Sequence, residues 1–544
     1  MRVHRYLLPL AALVAVVPMP FAGPSCGHDF DFHVLSWVEA AQQLLHAHYP
    51  AWAYTPAWNA GEPRFVFYPP LSWITGSLLR LLLPWHFVPI AYTWVALTLS
   101  GFSLHRLAAR YATPAAATLA AVFYMVNPYM LFTAYERTAY GELLAAAWIP
   151  LLLAAILAPR VSVLAVAVPV ALLWLTNAPA AVMSCYALAL LALVRLVALG
   201  IARERKEALA LAWKTTAGVL LGLALSAFYV LPAAWEQRYV QTAMATVQGM
   251  RIVDNTLFHH TPDEAHDAVL HTASLLAVLL LTALAGALLS IQDEPRAAQP
   301  SPLKIPVIAV SILAGVIAFL LTPWSLGVWR HAPELAFLQF PWRLLAILAA
   351  LLALAGALVI RNLHLRPVRV GLVSLAVVAG FVLPAWSHFN QPCDTEDTVE
   401  ARVALFHTPL GTDPTDEYTP SSADNDALRH GNPPYWLAGS PQAAPPQAAP
   451  GPLPDRFSVS VPMAETLILN RRQYPGWTIN VNGHEVKPDP PGTRDDGLIA
   501  VPVPAGEDSI ELRFRRSADE EIGLGLSLVA LGGVVFLRRP LRGA

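Results

Sequence analysis

Apolar runs long enough to cross a hydrocarbon core as helices, about 20 residues each, recur along most of this chain. The first covers residues 6–22, behind Arg2 and Arg5. Others follow at about 87–104, 114–133, 142–158, 161–176, 180–199, 215–232, 269–291, 305–323, 341–360, 370–386 and 522–537. Lipid offers no water to backbone N–H and C=O groups, so such runs must be helical. The pattern predicts about twelve transmembrane helices. The apolar stretch 71–83 is too short to cross and reads as an interfacial or re-entrant helix.

Positive charge orders these runs. Lys and Arg prefer the cytoplasmic side, and they collect at alternate ends: Arg106/Arg110, Arg160, Arg203/Arg205/Lys206, Lys214, Arg296/Lys304, Arg361/Arg366/Arg369 and Arg538/Arg539/Arg542. Both termini are then expected inside, with residues 23–86 forming one external loop. A cleaved signal peptide competes for the first run, but the residues before Cys26 make a poor small-x-small cleavage site, which favours a retained helix. A transmembrane domain of residues 1–386 results.

After residue 386 the pattern changes. Residues 387–454 are acidic, with Asp394, Glu396 and Asp397 early, and end in a Pro/Ala-rich linker, 439–454, too poor in large apolar residues to pack a core. Over 455–520 the period becomes two: Phe457, Val459, Val461; Trp477, Ile479, Val481; Ile510, Leu512, Phe514. That alternation reads as strands, and Asn482-Gly483 is a tight hairpin signal. The expectation is a small extracytoplasmic β-sandwich followed, over 521–544, by a last span and a basic cytoplasmic tail.

Composition agrees. The 544 residues are 56% hydrophobic and 13% charged, with mean hydropathy +0.49, against about 25% charged in soluble domains. A net charge of -2 gives no nucleic-acid footprint. Three cysteines are too few for a disulfide framework. Cys185 reads as a small core residue, whereas Cys26 and Cys393 both fall outside the membrane, where an oxidising compartment could join them.

Candidate chemistry concentrates in three places. The first external loop opens with His28-Asp29-Phe30-Asp31-Phe32-His33 and continues as an amphipathic helix expected to lie in the interface plane, holding Asp29 and Asp31 at the membrane surface. A carboxylate there can accept a proton from an alcohol or bind a divalent cation; the plainer role for one of them is helix capping. The same loop carries Glu62, Arg64 and Tyr68. Arg64 suits phosphate oxygens or simply pairs with Glu62. The second place is the short outer turn with Glu136, Arg137 and Glu142, where charges between apolar runs must be paired or face a cavity. The third is Gln339-Phe340-Pro341-Trp342-Arg343, where Arg343 either snorkels or grips a lipid phosphate. The cluster His259, His260, Asp263, Glu264 and His266 is metal-like in composition but not in spacing.

These residues carry a resemblance. His28-Asp29…His33, Gly61-Glu62-Pro63-Arg64-Phe65…Tyr68-Pro69-Pro70, Asn127-Pro128-Tyr129, Arg137…Glu142 and Gln339–Arg343 resemble bacterial polytopic proteins named 6-pyruvoyl-tetrahydropterin synthase-related, although no soluble pterin-enzyme layout is visible. They are also similar to the YfhO-like proteins, which end in a Tyr-Pro-Gly-Trp…Asn-Gly β-domain and a last helix, as at Tyr474–Gly483 here. The resemblance covers nearly the whole chain, and both groups look like GT-C glycosyltransferases. It implies a GT-C-like helical domain in the bacterial cytoplasmic membrane and transfer of a sugar from a polyprenyl-phosphate-linked donor to a glycan, lipid or protein acceptor on the outer face. Asp29, or its neighbour Asp31, would be the base. Arg64, Arg137 and Arg343 would bind phosphate, with Glu62, Tyr68, Glu136 and Glu142 lining the site. His28 and His33 would orient the acids or a Mg or Mn ion. A flippase for a lipid-linked saccharide is the rival, although no internal repeat of the transporter kind is visible; an envelope-assembly scaffold is a third reading.

Overall fold

The structure is a computed structural model that describes residues 2–292, 301–332, 334–406, 408–439 and 452–538. Most of the linker expected at 439–454, together with Arg296, Arg539 and Arg542 of the charge pattern, lies outside the described residues.

The chain is a multi-pass membrane architecture with a β-domain near its C-terminus. Among the described residues, seven helices are long and apolar enough to span: Trp85–Ala108, Pro114–Glu136, Ala178–Ile201, Arg205–Leu225, Glu264–Ile291, Pro341–Val359 and Pro367–Phe389. An eighth results if Pro306–Leu320 and Pro323–His331, bent by 94°, form one broken span. The expectation of about twelve spans is therefore not reproduced. Tyr6–Ala22, Tyr140–Ile156 and Val163–Thr176 are shorter apolar helices, reaching at most about 25 Å at 1.5 Å per residue.

Local chemistry accounts for the breaks. Asn127 turns its side-chain oxygen to the N–H groups of Tyr129 and Met130 ahead of Pro128, ending one helix and starting another. Asn177 does the same for Ala180 at the head of Ala178–Ile201. Pro150 stands in the first turn of the Ile149–Ile156 helix, and Pro169 lies inside Val163–Thr176, which stays continuous. An apolar run read from hydropathy alone ignores these caps.

Two spans form the centre of the bundle. Pro114–Glu136 and Pro341–Val359 are each 83% buried, against 22% for Arg205–Leu225 and 28% for Pro367–Phe389. The central pair delivers Arg137 and Arg343 together.

The β-domain comprises β1 (Tyr435–Leu437), β2 (Arg456–Val461), β3 (Glu465–Arg472), β4 (Trp477–Val481), β5 (His484–Val486), β6 (Leu498–Val503) and β7 (Gly506–Phe514). They form two antiparallel sheets, β1-β3-β6 and β2-β7-β4-β5. Val459, Val461, Leu467, Leu469, Ile479, Ile499, Val501 and Ile510 fill the space between them. The β4–β5 hairpin pairs Val481 with His484 across Asn482 (φ 52°) and Gly483 (φ 81°), the left-handed pair that a two-residue turn requires. The first strand comes from residues 435–437, so the sandwich takes in chain ahead of residue 455.

The sandwich is fastened to the helices by Glu236, at the end of the Ala227–Glu236 helix. Its buried carboxyl accepts hydrogen bonds from the hydroxyls of Tyr474 and Ser517. Burial, against the two hydroxyls and helped by Asp519, pushes this carboxyl up to about 7. A raised carboxyl binds its proton more tightly in the folded state, so its stabilising contribution is complete below the ordinary carboxylate range and is lost as pH rises through 7. Hydrogen-exchange protection at Tyr474, Gly476 and Trp477, corrected for the intrinsic pH dependence of exchange, should fall between about pH 4.5 and 7, and Glu236→Gln should flatten that dependence.

Candidate functional site

The site begins with a stitched segment. Cys26 is disulfide-bonded to Cys393, and the Cys26 N–H donates to the Gln391 carbonyl at 2.9 Å. The Ser25 hydroxyl donates to the Tyr135 carbonyl and accepts from the Gln391 N–H. The Asp29 N–H donates to the Arg137 carbonyl at 3.0 Å. Gly27 permits this approach: a Cβ there would stand 2.1 Å from the Glu136 carbonyl oxygen. The start of the first loop is thereby laid against the 135–137 turn.

That turn is strained. Phe132–Glu136 is a π-helical turn, and Thr138 follows at φ 46°, a left-handed conformation costly for a β-branched residue. The distortion presents Arg137 inward. The Arg137 guanidinium donates to Glu142 at 2.7 Å and lies 4.6 Å from the Trp342 ring centroid. The other oxygen of Glu142 accepts from the Tyr129 hydroxyl. Arg343 approaches the same carboxylate, its Nε 3.7 Å from Glu142, while its Nη1 donates to the Leu338 carbonyl and to Gln339. The Arg343 Nε–H has no hydrogen-bond partner. Two buried guanidiniums thus share one buried carboxylate.

Asp29 stands beside this group. It occupies the N-cap position of the Phe30–Leu45 helix but makes no capping bond. Its side chain is 43% exposed, with its carboxylate 3.9 Å from Arg137. Asp31 lies on another side of the helix, since residues two apart do not share a face. Asp31 pairs with Arg402 at 2.5 Å, and Arg402 also pairs with Asp397. Burial pushes the Asp31 carboxyl up while Arg402 pulls it down. The two acids are therefore separated: one faces the arginines of the bundle, the other is tied to the acidic segment after residue 386.

The remaining candidates fall into place around them. Arg64 is buried and occupied: Nε by Glu62 at 2.8 Å, Nη1 by Ser36 and Nη2 by Thr415, with Phe32 beneath its plane at 4.5 Å. The Thr415 N–H donates to the other oxygen of Glu62. This set ties the first loop to the acidic segment and stands apart from the Glu142 group. His33 is buried with Nδ1 2.8 Å from the Tyr68 hydroxyl, which also meets Ser72. Burial lowers His33 to about 4, so it is neutral near pH 7. His28 is exposed and close enough to Glu136 to interact electrostatically.

The expected interfacial helix differs in one respect. Its polar side turns inward: Ser36 and Glu39 are buried, and Glu39 accepts the N–H groups of Tyr54 and Thr55. Hydropathy does not register backbone donors that return from further along the loop, which is why an amphipathic pattern alone does not reveal this burial. In the 259–267 cluster, Asp263 caps the Glu264–Gln292 helix and His266 meets Asn255. Among the described residues, no three His, Cys, Asp or Glu side chains come together as a metal-ligand set. Gly27, Tyr129 and Trp342 were not singled out for roles in the site; a glycine directly before the His-Asp pair was the one available signal.

No family model and no curated protein matches the chain. Solved structures of the arabinofuranosyltransferase AftD from Mycobacteria resemble it at low identity. One AftD structure is 16% identical with TM-score 0.49, covering 92% of this chain and 40% of that one. Two classes of a point mutant are each 18% identical, with TM-scores 0.44 and 0.41, covering 72% and 71% of this chain and 28% of theirs. This chain thus spans less than half the length of those neighbours.

Removing the shared carboxylate exposes the cost of the arrangement. Glu142→Gln should leave two buried guanidiniums facing each other and destabilise the protein by about 3–5 kcal/mol. The measurement is the unfolding midpoint in detergent; an unchanged midpoint would mean that the arginines are neutralised elsewhere.

Proposed function

We propose that the protein is a membrane glycosyltransferase that moves a sugar from a polyprenyl-phosphate-linked donor to an acceptor hydroxyl on the extracytoplasmic face of the bacterial cytoplasmic membrane. The observation that carries this reading is a half-exposed carboxylate, Asp29, free of its capping bond and 3.9 Å from an arginine. Behind it, Arg137 and Arg343 share the single carboxylate of Glu142, and one guanidinium N–H lacks a partner. A candidate base stands beside two arginines, one of which keeps an N–H without a hydrogen-bond partner. The Cys26–Cys393 bond supports an oxidising, extracytoplasmic setting for the site.

In this reading Asp29 accepts the proton of the acceptor hydroxyl as its oxygen attacks the anomeric carbon. The bond from that carbon to the donor phosphate breaks, and the electron pair leaves with the polyprenyl phosphate. Arg137 and Arg343 hold the charge that develops on the leaving oxygen. Trp342 and Phe340, stacked with ring centroids 5.0 Å apart, hold the guanidinium planes from below. The described residues do not supply the ligand set expected of a Mg or Mn site, so no step is routed through a metal. Arg64 and His33 act as structural ties, and Asp31 anchors the helix through Arg402.

The test is complementation of a deletion strain at matched membrane levels, reading envelope glycans and polyprenyl-linked sugars. Asp29→Asn should fold normally and lower transfer by about 10²–10⁴-fold, with the lipid-linked donor accumulating. Asp31→Asn should retain transfer while lowering the melting point through loss of the Arg402 pair. Full activity of Asp29→Asn overturns the assignment, and loss of glycan without donor accumulation favours transport of the lipid-linked sugar.

A further inference from the structure

A cavity of about 860 Å³ opens between the first loop, the Ala227–Glu236 helix, the β-domain and the last helix, Ala518–Arg538. It is remote from Asp29. Gln43 and Ala47, at the far end of the Phe30–Leu45 helix, line it, which puts it about 21 Å from Asp29 at 1.5 Å per residue.

The cavity is ordered from polar to apolar along one axis. Leu524, Leu528 and Leu531 share one face of the last helix and form its deep wall. Leu528 and Leu531 are largely exposed, 60% and 54%, so this wall is continuous with the lipid-facing surface. At the other end stand Arg513 and Arg516, with Asp455, Glu520 and His48 beside them. Arg513 pairs with Glu511. Glu520 accepts the Ser517 N–H at the head of the helix. Arg516 has no carboxylate within 4 Å among the described residues and feels Glu520 only at longer range. On the β-domain side, Trp477, paired with Phe514 between β4 and β7, lines the cavity, nine-tenths buried, and its indole N–H has no hydrogen-bond partner. Indoles in that position favour the headgroup level of a bilayer.

The dimensions decide the kind of ligand. From Ala518, two residues after Arg516, to Leu531 the helix rises about 20 Å, about a third more than the half-thickness of a hydrocarbon core of about 30 Å. An end where Arg516 has no carboxylate within 4 Å, an indole donor without a partner and an apolar groove open to lipid, over that length, match a molecule of one leaflet.

We propose that this cavity binds one anionic phospholipid from the leaflet beneath the β-domain. Its phosphate lies on Arg516 and Arg513, its glycerol region meets the Trp477 N–H, and an acyl chain runs along Leu524, Leu528 and Leu531. The lipid bridges the last helix, the sandwich and the first loop, and its role is independent of the transfer reaction proposed above.

The test uses the full chain, purified in detergent, delipidated and reconstituted into nanodiscs of phosphatidylcholine with or without phosphatidylglycerol. Native mass spectrometry then counts the lipids that survive release. The wild type should retain one phosphatidylglycerol in preference to phosphatidylcholine. Arg513→Gln combined with Arg516→Gln should cut that preference about tenfold or more. Leu528→Trp, a lipid-facing change that fills the groove, should reduce retention of both lipids while leaving circular dichroism unchanged. Equal retention in the wild type and the double arginine variant overturns the headgroup assignment. Undiminished retention in Leu528→Trp overturns the groove, and displacement of the lipid by inorganic phosphate alone would show that the site takes the free anion.

Discussion

A single carboxylate holds the centre of this protein together. Glu142 is surrounded by the Arg137 and Arg343 guanidiniums and the Tyr129 hydroxyl. Arg343 lies at the start of one of the two most buried spans, and Arg137 directly follows the other. Charges at such depth are tolerated only when they answer one another, so the two spans cannot slide or rotate independently without exposing an uncompensated guanidinium. The π-turn at Phe132–Glu136 and the left-handed Thr138 are the distortion that lets the chain reach this arrangement. A strained turn held in place by a charge cluster suits a site where geometry must be fixed before a ligand arrives.

The first loop distributes that rigidity outward. At one end Gly27 and the Asp29 N–H lie against the Arg137 turn. In the middle, Glu39 receives the returning Tyr54 and Thr55 amides, and Arg64 and Glu62 clasp Thr415. Further on, Trp52 enters the apolar interior of the β-domain, and Asn470 donates to the Trp58 carbonyl. A segment that hydropathy describes only as the space between two spans is therefore the common element of helices, acidic segment and sandwich. The same loop separates two kinds of arginine: Arg64 spends its donors on protein partners, whereas Arg343 retains one.

What could be read from the chain beforehand follows the range of the interactions involved. The β2, β4 and β7 strands and the Asn482-Gly483 hairpin were legible, because alternation and turn chemistry are written within a few residues. So was the bundle itself. The β1, β3 and β6 strands were not, since residues 465–472 and 498–503 are apolar or mixed on both sides rather than alternating. The count of twelve spans is not confirmed, because Tyr6–Ala22, Tyr140–Ile156 and Val163–Thr176 form apolar helices shorter than a full span. At the site, the pairing of Arg137 with Glu142 lies five residues apart and was readable as a possibility. The separation of Asp29 from Asp31 was not, because it depends on Arg402, which nothing near the first loop announces. Arg343 was singled out from sequence as a phosphate-binding candidate, but its approach to Glu142 was not legible, because the two lie about 200 residues apart.

The bond between Cys26 and Cys393 closes a loop of 367 residues in sequence separation, and that span sets a schedule for biogenesis. Cys26 emerges with the first helix, yet its partner follows the Pro367–Phe389 span. At about 5–20 residues per second, the ribosome takes roughly 20–70 s to bring the second thiol to the same side. Through that interval the first loop must wait, reduced and unanchored, while the insertion machinery places nearly the whole bundle. The disulfide beside Asp29 therefore closes late, after the intervening segments have been synthesised.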